Sequence, residues 1–221
     1  MHFYILGGSG RTGQMVIDNA LQRGHTVTAM VRSPDSLTPR TGLTVVKGTP
    51  LSQPDITASF LHPTRPDAVI VTLNAARVSD SPFAAPAAPP RMMADAHAHV
   101  AAAMQAHGVR KIVTMSAFGV AESGPNLPCA FRLVLRGTNM KYQFEDHDLV
   151  DAEMKMREGL EYVLVRPAML GEGEERPVRT FGDEGVGAPW LAKVTRMSVA
   201  AFLVGACESD EWDCRTPVIA N

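Results

Sequence analysis

The segment Leu6–Gly13, which reads LGGSGRTG, has the residue types and spacing of a dinucleotide-binding loop. It can be read as Gly8-x-Gly10-x-x-Gly13 or as Gly7-x-x-Gly10-x-x-Gly13, and both spacings allow a tight turn with a close backbone approach to a ligand. A helix that starts here offers unpaired N–H groups to a pyrophosphate. The residues expected to bind the dinucleotide at this point are Gly7, Gly10, Arg11, Thr12 and Gly13.

The end of the second apolar run indicates which dinucleotide is bound. Enzymes that use NAD place Asp or Glu about 20 residues after the glycine loop, where the carboxylate binds the ribose 2′-hydroxyl. This sequence instead has Arg32 followed by Ser33. A guanidinium suits a 2′-phosphate because it makes charge-assisted, bidentate hydrogen bonds. We therefore expect NADP(H) as the cofactor, with Arg11 approaching the same phosphate from the other side. The alternative is a solvated arginine that only ends the strand.

Short apolar runs alternate with helical patterns, and together they predict the elements that hold these residues. The predicted strands are His2–Leu6, Thr26–Val31, Leu43–Val46, Ala68–Leu73, Lys111–Met115, Tyr162–Val165 and Pro217–Ala220. The predicted helices are Thr12–Arg23, Asp55–Leu61, Met92–His107, Tyr142–Glu158 and Ser198–Ala206. This order predicts one α/β domain with a Rossmann-like, doubly wound parallel sheet that is flanked by helices.

Two long segments interrupt this alternation. Residues 74–90 are rich in Ala and Pro, and residues 171–189 are rich in Gly and charged residues. Both follow predicted strands, so both are expected at the carboxyl edge of the sheet, where ligands of open α/β sheets bind. We interpret them as loops on the substrate side of the domain. The alternative is that they are insertions without a function.

Composition and charge argue against several classes of protein. The formal net charge is −2 without a basic cluster, so no nucleic-acid partner is expected. No apolar stretch approaches the ~20 residues that span a bilayer, and the first residues lack the features of a signal peptide. The three cysteines, Cys129, Cys207 and Cys214, show no CxxC spacing, so we expect reduced, buried cysteines and a cytoplasmic location. A monomer is preferred, with a homodimer as the alternative.

Longer motifs add a family resemblance. The glycine loop and Val31-Arg32 are followed by GVRKIVTMSAFG at Gly108–Gly119, GLEYVLVRPAML at Gly159–Leu170 and RMSVA at Arg196–Ala200. Nearly end to end, the chain resembles the single-domain NAD(P)H-binding branch of the atypical short-chain dehydrogenases, which includes NmrA-like and biliverdin/flavin reductase-like proteins. The segments Asp146–Asp148 and Thr216–Asn221 most resemble fungal proteins of the averufin-oxidase type, which accompany polyketide biosynthesis.

The resemblance implies further contacts with the cofactor. It places Ser116 beside the nicotinamide, the segment Arg166, Pro167 and Ala168 along the carboxamide, and Leu73 and Asn74 on the adenosine-ribose side. The chemistry of Ser116 is compatible with this role, because a hydroxyl at the carboxyl end of a buried strand can donate to a substrate carbonyl. The alternative is a serine that caps the following turn.

The resemblance also reveals a missing catalytic pair. Typical short-chain dehydrogenases carry Tyr-x-x-x-Lys on the helix after strand five, and the corresponding positions here fall near Phe144 and Asp148. His147 is the replacement best suited to proton transfer near neutral pH, with Asp148 or Asp151 orienting it or acting alone. Alternatively, water protonates the product, or the protein binds NADPH without turnover. No metal site is expected.

Three functions remain compatible with these residues. The leading one is an NADPH-dependent oxidoreductase that acts on a flat, conjugated small molecule of polyketide, quinone or flavin type, with Phe83, Phe181 and Trp190 as candidate walls of its site. The second is an isomerase, dehydratase or cyclase that uses the same pocket without net redox chemistry. The third is an NmrA-like sensor that binds the dinucleotide and regulates a partner.

Overall fold

Strands and helices alternate along residues 1–79 and 81–221, which the computed structural model describes. In chain order they are β1 (His2–Leu6), α1 (Arg11–Gln22), β2 (Thr26–Val31), β3 (Leu43–Lys47), α2 (Gln53–Phe60), β4 (Ala68–Val71), α3 (Met92–His107), β5 (Lys111–Met115), α4 (Cys129–Gly137), α5 (Lys141–Lys155), β6 (Glu161–Pro167), β7 (Met169–Gly171), β8 (Arg179–Thr180), β9 (Lys193–Thr195), α6 (Arg196–Glu208) and β10 (Val218–Ala220).

The main sheet has the strand order β3-β2-β1-β4-β5-β6-β10-β8. Its neighbouring strands are parallel except for the short β8, which runs antiparallel to β10. β7 and β9 form a separate parallel pair. The order reverses at β1, which lies between β2 and β4, and such a switch point opens a crevice at the carboxyl edge. The predicted Rossmann-like, doubly wound fold is confirmed.

Helices cover both faces of this sheet and so divide the core into two layers. α1 and α6 pack together on one face, against Phe3 and Ile5 of β1, while α2, α3 and α5 cover the other face, against Tyr4 and Leu6. All five residues of β1 are buried because both faces of the strand are covered. In β5, Ile112 belongs to the second layer, so Thr114 and Ser116 also point to the side of α3 and α5.

Some local features differ from the sequence-based expectations. α4 was not predicted, and neither were β7, β8 and β9, which have only two or three residues each. The expectation of buried cysteines is correct for Cys207 and wrong for Cys129 and Cys214, which are exposed in short connecting or helical segments. Among the described residues, no helix has both the length and the hydropathy needed to cross a membrane.

Candidate functional site

The glycine loop connects β1 to α1 through close backbone contacts that only glycine permits. Gly7 has φ +87°, and a Cβ there would lie 2.7 Å from the carbonyl carbon of Thr72. A Cβ on Gly13 would overlap the carbonyl oxygen of Gly7, which also accepts a 3.0 Å hydrogen bond from the N–H of Gly10. The spacing that shapes the loop is therefore Gly7-x-x-Gly10-x-x-Gly13, while Gly8 packs against α1 and β2.

The first turn of α1 has the properties of a phosphate-binding helix terminus. It has no acidic residue, and Gly10 at the N-cap position provides no side chain to cap the helix. The N–H groups of Arg11, Thr12 and Gly13 belong to the first turn and have no acceptor within α1. They point toward the open edge of the sheet together with the positive end of the helix dipole. The loop therefore fits the pyrophosphate of a dinucleotide.

A cavity of about 220 Å³ extends from this loop toward β2 and brings together several residues predicted from the sequence. Gly7, Arg32, Leu73 and Asn74 all line it, and residues 87–89 of the long loop close its outer side. Gln143 of α5 fixes the position of this wall, because its side-chain N–H groups donate to Asn74 Oδ1 at 2.9 Å and to the Ala75 carbonyl at 2.7 Å. The cavity has the position expected for the adenosine half of a dinucleotide.

The two arginines predicted to share a 2′-phosphate lie on opposite sides of the glycine loop. Arg32 and Ser33 are exposed directly after β2, with Arg32 at the cavity just described. Arg11 approaches Glu172, at 3.9 Å, and Glu172 follows β7 on the β6 side of the sheet, where it also pairs with Arg196. The cooperation of Arg11 with Arg32 at the 2′-phosphate stays a prediction, and Arg32 and Ser33 are the two candidates that directly follow β2.

Ser116 lies at the centre of the carboxyl edge. Its N–H donates to the Val165 carbonyl at 2.7 Å, and the N–H of Phe118 donates to the Pro167 carbonyl at 3.0 Å, so the chain continues beside β6 after β5 has ended. Ser116 is buried, yet within the described part of the chain its hydroxyl has no hydrogen-bond partner. It does not cap the following turn and is available to a ligand.

An apolar cavity of about 250 Å³ begins at Ala117, the residue after Ser116, and extends under α4. Its lining residues come from the end of β5, from α4 and α5, from the end of β6 and from the segment before β9. They are Ala117, Phe118, Leu127, Pro128, Phe131, Leu135, Met140, Phe144, Pro167, Ala168, Met169, Pro189, Trp190 and Ala192. Pro167, Ala168 and Trp190 were predicted to lie at the site. Phe83 and Phe181 were also expected as walls, but they are not among the described residues that line this cavity.

Most of the lining of this cavity was not predicted from the sequence, and two of its residues, Phe131 and Leu135, lie on the unpredicted α4. These two residues are four positions apart, which places both on one side of the helix, while Leu127 lies just before the helix begins. A helix of nine residues after two prolines is short for recognition by periodicity. The inward side of α4 is therefore a site feature that the structure adds.

The side chain of Arg166 has a structural position, so its predicted contact with the cofactor needs correction. The guanidinium is fully buried and donates to Asp151 at 2.5 Å, to Glu122 at 3.0 Å and to the Asp183 carbonyl at 2.7 Å. Burial alone would raise the pKa of Glu122, but the Arg166 and Lys155 cations outweigh it and lower that pKa to about 2. Only the following residues, Pro167 and Ala168, reach the apolar cavity.

His147 is buried on the sheet side of α5, and neither aspartate orients it. Burial first, and the neighbouring His97 second, lower the pKa of His147 to about 4. Asp148 accepts a hydrogen bond from the Ala121 N–H at 2.8 Å, and Asp151 is occupied by Arg166 and Lys155. The expectation of a His147–Asp148 or His147–Asp151 pair is wrong, because the three side chains point to different partners. A neutral imidazole at pH 7 is also a poor proton donor.

The histidines and acids near α3 have structural partners. Nδ1 of the buried His97 donates to the Met93 carbonyl at 2.7 Å, so Nε2 accepts a hydrogen bond from the Thr114 hydroxyl at 3.0 Å. The carboxylate of Asp146 accepts from the N–H groups of Met93 and Ala94 and caps α3. In the described residues, no group of three or more His, Cys, Asp or Glu side chains is arranged to hold a metal ion.

The fold, the glycine loop and the adjoining cavities define a protein that binds a nicotinamide dinucleotide. The sequence profile of the NAD(P)H-binding family matches residues 7–210, so the chain belongs to that family.

Solved structures with the same fold are distant in sequence. ChuY, an anaerobillin reductase from Escherichia coli O157:H7, is 17% identical, with a TM-score of 0.78 and with 100% of this chain and 97% of that chain covered. The oxidoreductase ylbE from Lactococcus lactis is 16% identical, with a TM-score of 0.76 and 100% and 91% covered. A Rossmann-fold NAD(P)-binding family protein from Shigella flexneri is 20% identical, with a TM-score of 0.68 and 100% and 93% covered. At these identities the likeness establishes the fold.

Proposed function

We propose that this protein is an NADPH-dependent oxidoreductase that reduces a conjugated, aromatic small molecule such as a quinone, a flavin or a polyketide. The observation that carries the proposal is the apolar cavity, which is lined by Ala117, Pro167 and Ala168 at the same sheet edge as the glycine loop. The adenosine half of a bound dinucleotide occupies the first cavity. A hydride acceptor in the apolar cavity then lies beside the other half of the crevice, where the nicotinamide is expected. The narrower resemblance to averufin-oxidase-type proteins, a cytoplasmic location and a monomeric state remain predictions.

The chemistry divides between the cofactor and the chain. When bound, NADPH supplies a hydride, and reduction of a quinone to its hydroquinone takes up one further proton. His147 is neutral at pH 7, because burial lowers its pKa to about 4. Burial also raises the pKa of Asp148, but this carboxyl accepts a hydrogen bond from the Ala121 N–H and is not among the described residues that line the apolar cavity. We therefore assign the proton to water. Ser116 orients the acceptor and donates a hydrogen bond to the oxygen on which negative charge develops.

The Ser116→Ala variant tests this assignment. We expect kcat/KM for menadione to fall by about 10- to 100-fold, because a hydrogen bond to a developing anion contributes about 1.5–3 kcal/mol. NADPH affinity should change less than twofold, measured by fluorescence titration. Ser209→Ala is the matched control, because Ser209 is exposed at the opposite edge of the sheet, where its carbonyl binds Lys111. Unchanged kinetics in Ser116→Ala would refute the role of this hydroxyl.

The preference for NADPH over NADH is assigned to Arg32. In Arg32→Ala, NADPH should bind about 10- to 100-fold more weakly, while NADH binding stays within a factor of two, because only NADPH carries the 2′-phosphate. Calorimetric titration of both dinucleotides measures the ratio. Arg65→Ala removes a cation near the end of α3, away from the glycine loop, and should leave both affinities unchanged. Equal losses for NADPH and NADH would show that Arg32 does not select the phosphate.

A second candidate function is a sensor that binds NADP(H) without turnover. It is favoured by the absence of the Tyr–Lys pair and by the neutral His147, which has neither Asp148 nor Asp151 as a hydrogen-bond partner in the part of the chain that the structure describes. Tight NADPH binding without oxidation across a panel of quinones and flavins would support it. The isomerase or dehydratase alternative depended on Asp146, His147 and Asp148 acting together, and the separate partners of these side chains give it no support.

A further inference from the structure

We propose that the apolar cavity under α4 selects the uncharged ring system of a planar aromatic molecule with two or three fused rings and discriminates against anionic analogues. This inference rests on the proposed function for its catalytic consequence, but the binding preference can be tested separately. It concerns the side chains that α4, α5 and the segment before β9 contribute to this cavity, which lie outside the sequence motifs of the dinucleotide site.

The size of the cavity limits the molecule that fits. A cavity of ~150 Å³ in another protein binds a single benzene ring, and drug-sized ligands occupy cavities of ~300–1,000 Å³. At about 250 Å³, this cavity is large enough for one or two rings beyond benzene. A tetrapyrrole, or the full length of a flavin nucleotide, extends beyond it. The enclosed part of the substrate is therefore a small fused ring system.

The shape of the lining favours a flat ring. Four aromatic side chains from separate parts of the chain surround the cavity: Phe118 follows β5, Phe131 lies on α4, Phe144 on α5 and Trp190 before β9. Aromatic rings pack favourably against other rings in stacked or edge-to-face arrangements, beyond what the burial of area alone contributes. Trp190 is 67% exposed at the mouth, so a ligand that covers it gains apolar contact.

The charge of the lining side chains determines whether an anionic ligand can bind in the cavity. None of the described side chains that line the cavity is ionisable. An unpaired sulfonate or carboxylate would lose its water there without gaining a compensating charge, which strongly disfavours its binding. A neighbouring cavity shares Leu127, Leu135 and Phe144 with this one and contains Arg132 and Lys141, but it also contains Glu145 and Asp148. Its two cations are matched by two acids, so it provides no net attraction for an anion.

The experiment compares naphthol with naphthalene sulfonate, two probes that share a ring system and differ in charge. Calorimetric titration of the protein saturated with NADP⁺ should give at least 10-fold tighter binding of naphthol. Leu135→Lys places a cation inside the cavity and should reverse this preference. The matched control is Leu133→Lys on the same helix, where the side chain is 74% exposed, and it should leave the preference unchanged.

The results of these measurements distinguish a failure of the binding inference from a failure of the proposed reductase function. Equal affinity for the two probes, or the same preference in the wild type and Leu135→Lys, would overturn the inference. Should Leu135→Lys fail to fold, Ala192→Phe fills the cavity without charging it and must weaken naphthol binding at least 10-fold. Parallel assays follow NADPH oxidation with menadione and with a sulfonated naphthoquinone. Binding that follows the expected pattern without any oxidation would retain the cavity assignment and refute the reductase function.

Discussion

Gly13→Ala is expected to weaken NADPH binding by about 100-fold and to lower the thermal stability of the protein. The new methyl group would overlap the carbonyl oxygen of Gly7 and lie 2.9 Å from the Cα of Gly8. These are backbone atoms of the loop between β1 and α1, so no side chain can rotate away. Relief requires α1 to move from the loop, which costs ~1–3 kcal/mol of packing and displaces the N–H groups expected to face the pyrophosphate.

The matched control is Gly205→Ala in α6. An added Cβ there meets only the side chain of Arg23 at 3.9 Å, and φ is not positive. Alanine in a helix interior is favoured over glycine by about 0.5–1 kcal/mol, so this variant should be as stable as the wild type or more so, with unchanged NADPH affinity. Fluorescence titration and thermal unfolding measure both quantities. Retention of wild-type affinity in Gly13→Ala would mean that the loop does not hold the cofactor in this way.

The elements that the sequence predicted are those with a strong local signal. β1, β2, β5 and α3 have the predicted bounds, because continuous apolar runs mark strands buried on both faces and Met92–His107 ends at a glycine in the left-handed conformation. The glycine loop was predictable for the same reason, since its constraint is steric and lies within seven residues. The periodic signal of α4 is short and follows Pro125 and Pro128, so it was not recognised.

The site residues that prediction placed incorrectly depend on contacts between distant segments. Asp146 caps α3, although 53 residues separate it from Met93. That contact fixes the rotation of α5 about its axis, so that His147 is buried. The local sequence shows only a histidine on a helix with an aspartate on each side. The partners of Arg166 are likewise spread over Glu122, Asp151 and Asp183. No spacing within a single element encodes these pairings, so only the tertiary structure reveals them.

The buried ion network around Arg166 should give the largest change in stability outside the glycine loop. Asp151→Asn is expected to reduce the free energy of unfolding by about 3–5 kcal/mol, because it removes the charge that compensates a fully buried guanidinium. Among the described residues, Glu122 then remains as the anionic partner of Arg166, at 3.0 Å and from a more exposed position. Urea unfolding of the wild type and the variant measures the difference.

A double variant distinguishes an uncompensated charge from lost packing. Arg166→Met combined with Asp151→Leu removes both charges and keeps apolar volume, so it should be more stable than Asp151→Asn, since replacing a buried ion pair with packed apolar side chains is often neutral or stabilising. Arg196→Met serves as the comparison, because Arg196 pairs with the exposed Glu172 and should cost less than about 1 kcal/mol. A loss below 1 kcal/mol in Asp151→Asn would contradict the structural role.

The same double variant also tests whether Arg166 contacts the cofactor. Because the guanidinium of Arg166 does not reach the cavities, the folded double variant should retain NADPH affinity. Loss of binding would restore Arg166 to the cofactor site.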